Sequence, residues 1–183
     1  GVDFVRRRTG GGAVYHDSSG ELTYSVIAPE FMFPKGITES YHVICNWIVD
    51  ALKIVGISSE FKPINDIIAA GKKISGNAQT RRNGILLQHG TILYKLDVAK
   101  MFSLLKVPKE KISDKFIHDV KQRVTSVTDV NPAISESQLK DALIAAFTAG
   151  KEFELGSVTE KEKAAAVTLA KSRYGSDEWN FMR

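Results

Sequence analysis

Cysteine is nearly missing from this chain: Cys45 is the single one in 183 residues. One thiol excludes an internal disulfide and fits a reducing compartment, here the cytoplasm. One cysteine and 4 scattered histidines also offer no ligand spacing for a zinc cluster. Long apolar runs are missing too. No stretch approaches the ~20 residues that cross a bilayer, and no secretory signal is visible, so a membrane is not an expected partner. Charge is not concentrated in any tail or stripe: 25 Lys and Arg against 21 Asp and Glu leave a net +4. Phe31 and Phe33 lie near Lys35, but aromatic and basic residues do not otherwise interleave as on a base-stacking platform. Nucleic acid is therefore not expected, although a basic chain suits an acidic or phosphorylated partner. There is no internal repeat and no low-complexity segment.

What is present is an ordinary globular composition, 43% hydrophobic and 25% charged, in a length that buries one substantial core. Residues 3–7 and 13–17 read as strands on either side of a glycine run. Leu22, Tyr24 and Val26 alternate with Thr23 and Ser25 as in a half-buried strand. Tyr41, Ile44, Cys45, Ile48, Leu52 and Val55 fall on one stripe, which predicts a helix over 38–55 stopped by Gly56. Segments 58–64, 67–74 and 84–94 read as strands, with Asn83-Gly84 as a hairpin turn. Asp97 can cap a helix through Leu105, and Ser135-x-x-Gln138 and Thr159-x-x-Glu162 are capping boxes for helices near 136–149 and 160–173. The segment 125–132 reads as a mobile surface connection. Strands first and helices later argue for an α+β fold.

The run Arg6-Arg7-Arg8-Thr9-Gly10-Gly11-Gly12-Ala13-Val14-Tyr15-His16-Asp17 carries the first chemical signal. Glycines let backbone N–H groups approach a ligand closely, and successive N–H groups can form an anion-binding concavity. Arginine adds a planar, permanently charged fork for phosphate. The spacing is neither that of a P-loop nor that of a dinucleotide fold. Taken alone, the glycines equally fit a tight hairpin turn.

A second block reads Asn65-Asp66, then Gly71-Lys72-Lys73-Ile74-Ser75-Gly76-Asn77-Ala78, and a third reads His89-Gly90-Thr91. With these blocks in this order the chain resembles the lipoate–protein ligase family, whose pattern is R-R-x-[ST]-G-G-G-A-V-[FY]-H-D, N-D, G-[KR]-K-[IV]-S-G-[SN]-A and H-G-T. The resemblance covers nearly the whole chain. It implies a mixed β-sheet flanked by helices, of the class II synthetase and biotin ligase type. It also implies that residues 1–183 are the catalytic domain, with an N-terminal stretch and a C-terminal accessory domain absent and a separate accessory polypeptide as a candidate replacement.

The same resemblance implies ATP and lipoate as substrates and Mg²⁺ as cofactor. Lipoate would be activated to lipoyl-adenylate, and the lipoyl group passed to a lysine of an apo lipoyl domain. The acceptors would be E2 subunits of 2-oxoacid dehydrogenases or the glycine cleavage H protein. Lys73 maps onto the family's acting lysine. Arg7 maps onto the arginine that touches the nucleotide, and Gly10, Gly11, Gly12, Ala13, Val14, Tyr15 and His16 onto the loop that lines the adenylate. Asn65, Ser75, Gly76 and His89 complete the expected binding set, and Asp66 is the expected Mg²⁺ ligand. Residue by residue, plainer readings stay open: an Asx turn at Asn65-Asp66, a core histidine at His89, surface charge at Arg6 and Arg8. Three other functions also stay open. They are an octanoyl or lipoyl transferase working through a cysteine thioester, a biotin ligase, and a non-catalytic binder of lipoate or its adenylate. On its apolar stripe, Cys45 reads as a small hydrophobe and not as a nucleophile.

Overall fold

A computed structural model of the chain describes residues 2–105 and 122–182; His118 lies outside them. The chain divides into two compact units, Gly1–Arg8 with Gly150–Arg183, and Thr9–Ala149.

The larger unit contains β1 (Glu21–Pro29), α1 (Ile37–Ile54), β2 (Ser59–Lys62), β3 (Asp66–Ala69), β4 (Lys72–Arg82), β5 (Ile85–Leu93), α2 (Val98–Leu104), α3 (Val127–Val130) and α4 (Glu136–Thr148). The strands form one sheet in the order β1-β5-β4-β3-β2, antiparallel throughout. The mixed character expected of the sheet is confined to one parallel bridge between Lys73 and Val124. Strands β2 to β5 are a meander. The chain crosses from β1 at one edge to β2 at the other through α1, so α1 lies across a sheet face. Its predicted stripe is the buried one: Tyr41, Ile44, Cys45, Ile48, Leu52 and Val55, joined by Ala51. With Leu139, Ala142 and Ala146 of α4 it packs on Ile67, Ala69, Ile74 and Ile92 of the sheet.

Helix α1 ends as the sequence predicts. Gly56 has φ 77°, its N–H donates to the Lys53 carbonyl at 3.0 Å, and the Ile57 N–H reaches back to Leu52 at 2.8 Å. This is the paired 5→2 and 6→1 closure of a Schellman cap. The Asn83-Gly84 turn is present with φ of 53° and 74°.

Three expectations need correction. Residues 67–74 are not one strand but a hairpin, turning at Ala70 (φ 49°) and Gly71 (φ 74°); two consecutive left-handed residues make the tight turn that matches sheet twist. Segments 3–7 and 13–17 are irregular, because alternation makes a strand only where a neighbouring strand pairs with it. The 125–132 segment is not a loose connection. Thr125, Ser126 and Val127 are buried, and Ser126 and Asp129 form a reciprocal capping box at the start of α3.

The smaller unit holds α5 (Glu160–Leu169), a π turn over Ala170–Tyr174, and α6 (Asp177–Asn180). Its N-terminal strand of chain is stitched to α6 through Arg6. The Arg6 N–H donates to Asn180 Oδ1 at 2.9 Å, its guanidinium donates to the Asn180 and Met182 carbonyls, and Trp179 Nε1 donates to the Arg6 carbonyl at 2.8 Å. Arg6, ambiguous in the sequence, therefore has a structural task.

Candidate active site

Strand pairing sorts the motif residues between two faces, because residues opposite one another across a ladder share a face and successive residues alternate. Ile67, Ser75 and Ile92 form one row, and Asn77, Gly90 and Tyr24 another, on the face covered by α1. Asp66, Gly76 and Thr91 form a row on the other face, and Ala78, His89 and Ser25 the next one.

Lys73 joins Asp66 and Gly76 on that second face because of a β-bulge. Ile67 pairs with Ser75 but Ile68 pairs with Lys73, which leaves Ile74 without a residue opposite. The extra residue resets the alternation and re-aims the lysine, a recognised use of bulges. Without it Lys73 would share the core face of Ser75. The lysine Nζ lies 2.6 Å from Asp66 Oδ1, with both side chains part-exposed at 40% and 35%. Its stem lies over Gly76, where an added Cβ would stand 2.9 Å from Lys73 Cε and 3.0 Å from Nζ. The backbone is held as firmly. The Lys73 N–H donates to the Arg123 carbonyl at 2.8 Å, and its carbonyl accepts from Thr125 N–H at 2.9 Å.

The glycine run is anchored to this face. Thr9 is buried, and its hydroxyl lies 2.6 Å from His89 Nε2. Gly11 has φ 109°, and a Cβ at Gly10 or Gly12 would meet nothing within 4 Å, so there is open space at both Cα positions. Beyond it, Tyr15 donates to Asp17 at 3.2 Å, and Lys100 bonds the same carboxylate at 3.0 Å while lying 5.5 Å from the Tyr15 ring centre. Bonds from the Ser19 backbone, then from the Lys100 ammonium, hold the Asp17 carboxyl well below the usual carboxylate range. His16 pairs with Glu21; burial pushes the Glu21 carboxyl up, and the histidine partly offsets this.

The structure thus brings Lys73, Asp66 and Gly76 together, with His89 and the Thr9–Gly12 loop on the same sheet face. Ala13 and Val14 are exposed beyond that loop. Arg7 belongs to the other compact unit. The Ser75 hydroxyl faces the core, fully buried and without a hydrogen-bond partner, so only its backbone borders the Lys73 side. Asn65 is turned onto Asn77, its Nδ2 donating to the Asn77 carbonyl at 2.6 Å. Sequence reasoning gave no part to Thr9 or Asn77. Both lie inside quoted motif blocks, which was the available signal.

Metal ligands are sparse: among the described residues no group of three or more His, Cys, Asp or Glu could hold an ion. Cys45 is buried on α1, where Gln88 Nε2 approaches its sulfur at 3.7 Å. Burial pushes its thiol up to about 12.

Comparison with known proteins agrees with this arrangement. Residues 1–148 match the model of the lipoyl protein ligase A/B catalytic domain. Octanoyltransferase LipM of Brevibacillus brevis is 35% identical over 211 residues, spanning 100% of this chain and 76% of that protein. A bi-partite lipoate protein ligase of Thermoplasma acidophilum, described with its E2 lipoyl domain, superposes with a TM-score of 0.85 at 35% identity, covering 96% of this chain and 69% of that one. Lipoate-protein ligase A bound with ATP follows at 0.79 and 32%, with 96% and 70% covered. A biotin protein ligase of Aquifex aeolicus shares the fold alone, at 0.52 and 17%, over 70% of this chain and 52% of that one. Four motif blocks in order, a family model matched over residues 1–148, and a relative 35% identical across 100% of this chain lead to one assignment: the chain belongs to the lipoyl protein ligase A/B catalytic-domain family.

Proposed function

We propose that this chain activates lipoate with ATP and transfers the lipoyl group to one lysine of an apo lipoyl domain. The observation that carries the adenylate route is Cys45. A thioester route needs a thiolate that meets substrate. The chain's one thiol is fully buried under α1, with its proton held to about 12. Lys73, by contrast, presents an ammonium on the motif-bearing face.

In the first step a lipoate carboxylate oxygen attacks the α-phosphorus of ATP. A carboxyl–phosphate bond forms, and pyrophosphate leaves with the electrons of the broken P–O bond. In the second the acceptor lysine amine attacks the mixed-anhydride carbonyl, an amide forms, the amine loses a proton, and AMP leaves. Lys73 would sit against the oxygens whose charge grows in flight, where one fixed donor is worth about 3 kcal/mol of barrier. Asp66, 2.6 Å away, keeps the ammonium aimed. Backbone N–H groups of the glycine run would donate to phosphate oxygens. Asp66 would also hold Mg²⁺, which binds through one or two carboxylates plus substrate phosphates; bound there, the ion supplies neutralisation of phosphate charge.

The relative described with its E2 lipoyl domain supports lipoyl domains as the acceptor class, and the H protein belongs to the same proposal. That relative is bi-partite, which supports an accessory polypeptide for the adenylation step. The second reading is octanoyl transfer, favoured by the name of the LipM relative.

Intact mass of an apo lipoyl domain separates these. Lipoate with ATP, or preformed lipoyl-adenylate, should add one lipoyl group only with the chain present; Cys45→Ala should keep this and Lys73→Ala lose it. Transfer from an acyl thioester donor, whose thiol leaves as Cys45 takes the acyl group, that needs Cys45 and ignores ATP would establish the thioester route instead. Binding of lipoyl-adenylate with no acceleration over the chain-free reaction would leave a non-catalytic binder.

A further inference from the structure

Behind the site, on the helix-covered face, the same strands are joined by a chain of polar side chains. Ser40 Oγ, which donates to the Ile37 carbonyl at 2.8 Å, lies 3.1 Å from Gln79 Oε1, and Gln79 Nε2 donates to Gln88 Oε1 at 2.9 Å. Gln88 Nε2 donates to the Tyr24 hydroxyl at 2.9 Å, and that hydroxyl donates to Asn77 Oδ1 at 2.7 Å. Asn77 Nδ2 then donates to the Asn65 carbonyl at 2.9 Å, which also accepts the Asn77 N–H at 3.0 Å. Asn65 Nδ2 returns a bond to the Asn77 carbonyl at 2.6 Å. Ser40, Asn77 and Gln88 are buried.

The chain has a direction. A phenol has one proton, and since Gln88 supplies the bond Tyr24 accepts, that proton goes to Asn77. The Asn77 oxygen must therefore face Tyr24, and its NH₂ must face Asn65. An amide flip would set two donors against each other, which a buried site tolerates badly. Space is equally restricted: a Cβ at Gly90 would meet the Gly76 carbonyl at 2.8 Å, Tyr24 Cε1 at 2.8 Å and the Asn77 side chain. The far end of this chain is Asn65, the residue before Asp66, and Asp66 carries the ion pair to Lys73.

We propose that Tyr24 and Asn77 are positioning residues: they fix Asn65, hence the backbone from which Asp66 projects, and Asp66 in turn holds the Lys73 ammonium. This rests on the reading of Lys73 as the acting residue.

The test is transfer from preformed lipoyl-adenylate to an apo lipoyl domain, with kcat and KM measured separately. Tyr24→Phe removes one oxygen, and Asn77→Asp still accepts from Tyr24 but cannot donate to Asn65. Each should lower kcat by about tenfold to a hundredfold, the scale of a 1 Å misplacement, with KM for the adenylate within about twofold. Combined with Asp66→Asn, Tyr24→Phe should add no further loss, since both act through one group. Wild-type kcat in both single variants overturns the proposal, as does a Tyr24→Phe loss that multiplies with that of Asp66→Asn. Lys73→Ala runs beside them. If it abolishes transfer while Tyr24→Phe and Asn77→Asp do not reduce it, positioning fails and the site reading stands. If it leaves transfer intact, or the wild-type chain transfers nothing, both fall.

Discussion

Lys73 lies flat across β4 because Gly76 has no side chain to lift it. The atoms an added Cβ would meet, Cε and Nζ at 2.9 and 3.0 Å, are the far end of a flexible side chain that can swing aside. Gly76→Ala should therefore fold normally, with Tm within about 2 °C of wild type, while transfer from lipoyl-adenylate falls about tenfold because the ammonium has moved. Gly90 gives the opposite result. Its neighbours include the Gly76 backbone carbonyl and the ring of Tyr24, and neither can retreat without moving a strand. Gly90→Ala should cost about 2 kcal/mol in a denaturant titration, as overpacking does. A stability loss in Gly76→Ala equal to that in Gly90→Ala would show that both glycines serve packing alone.

At the scale of elements, backbone conformation sets the predictions. Gly56 closes α1 at φ 77°, so Gly56→Ala should destabilise by about 1 kcal/mol through left-handed strain. Ala70 already bears that strain at φ 49° in the β3–β4 turn. Ala70→Gly should relieve it and raise the urea midpoint, because left-handed strain of about 1–2 kcal/mol exceeds the roughly 0.4–1 kcal/mol cost of a freer unfolded chain. The contrast shows what the sequence makes legible. The α1 stripe, its glycine stop, the Asn83-Gly84 turn and the Ser135–Gln138 and Thr159–Glu162 boxes all rest on neighbours within a few residues, and each is present. The Ala70-Gly71 turn was not legible, because alanine is not a turn signal and the sheet imposes its conformation. The bulge at Ile74, which decides the face Lys73 occupies, depends on register with β3. The placing of Arg123 and Thr125 depends on their backbone bonds to Lys73, far away in the chain. The motif blocks singled out the candidate residues; only the ladder shows that Ser75 and Asn77 face away from Lys73.

Across the whole molecule, the core of the larger unit contains three groups that resist ionisation. Burial pushes the Cys45 thiol up to about 12 from 9.0, and raises the phenols of Tyr24 and Tyr41 above their ordinary value. A group whose folded pKa is raised supports folding fully below its unfolded pKa and loses that support as pH climbs toward the folded one. Stability should thus hold through neutral pH and decline from about pH 9, where the unfolded thiol and then the unfolded phenols release protons. On the acid side Asp17 acts in reverse: its depressed carboxyl supports folding above the ordinary carboxylate range and loses that support as pH falls below it. The raised carboxyl of Glu21 partly cancels this acid loss. Cys45 links the alkaline limb to function. The burial that keeps its proton on near neutral pH also removes it as a nucleophile. Cys45→Ala should therefore leave transfer unchanged and flatten the first part of the alkaline decline, measured as urea midpoints from pH 7 to 10. A variant that loses activity, or whose midpoints fall with pH as steeply as wild type, would mean that the thiol meets solvent and that the thioester route has to be reopened.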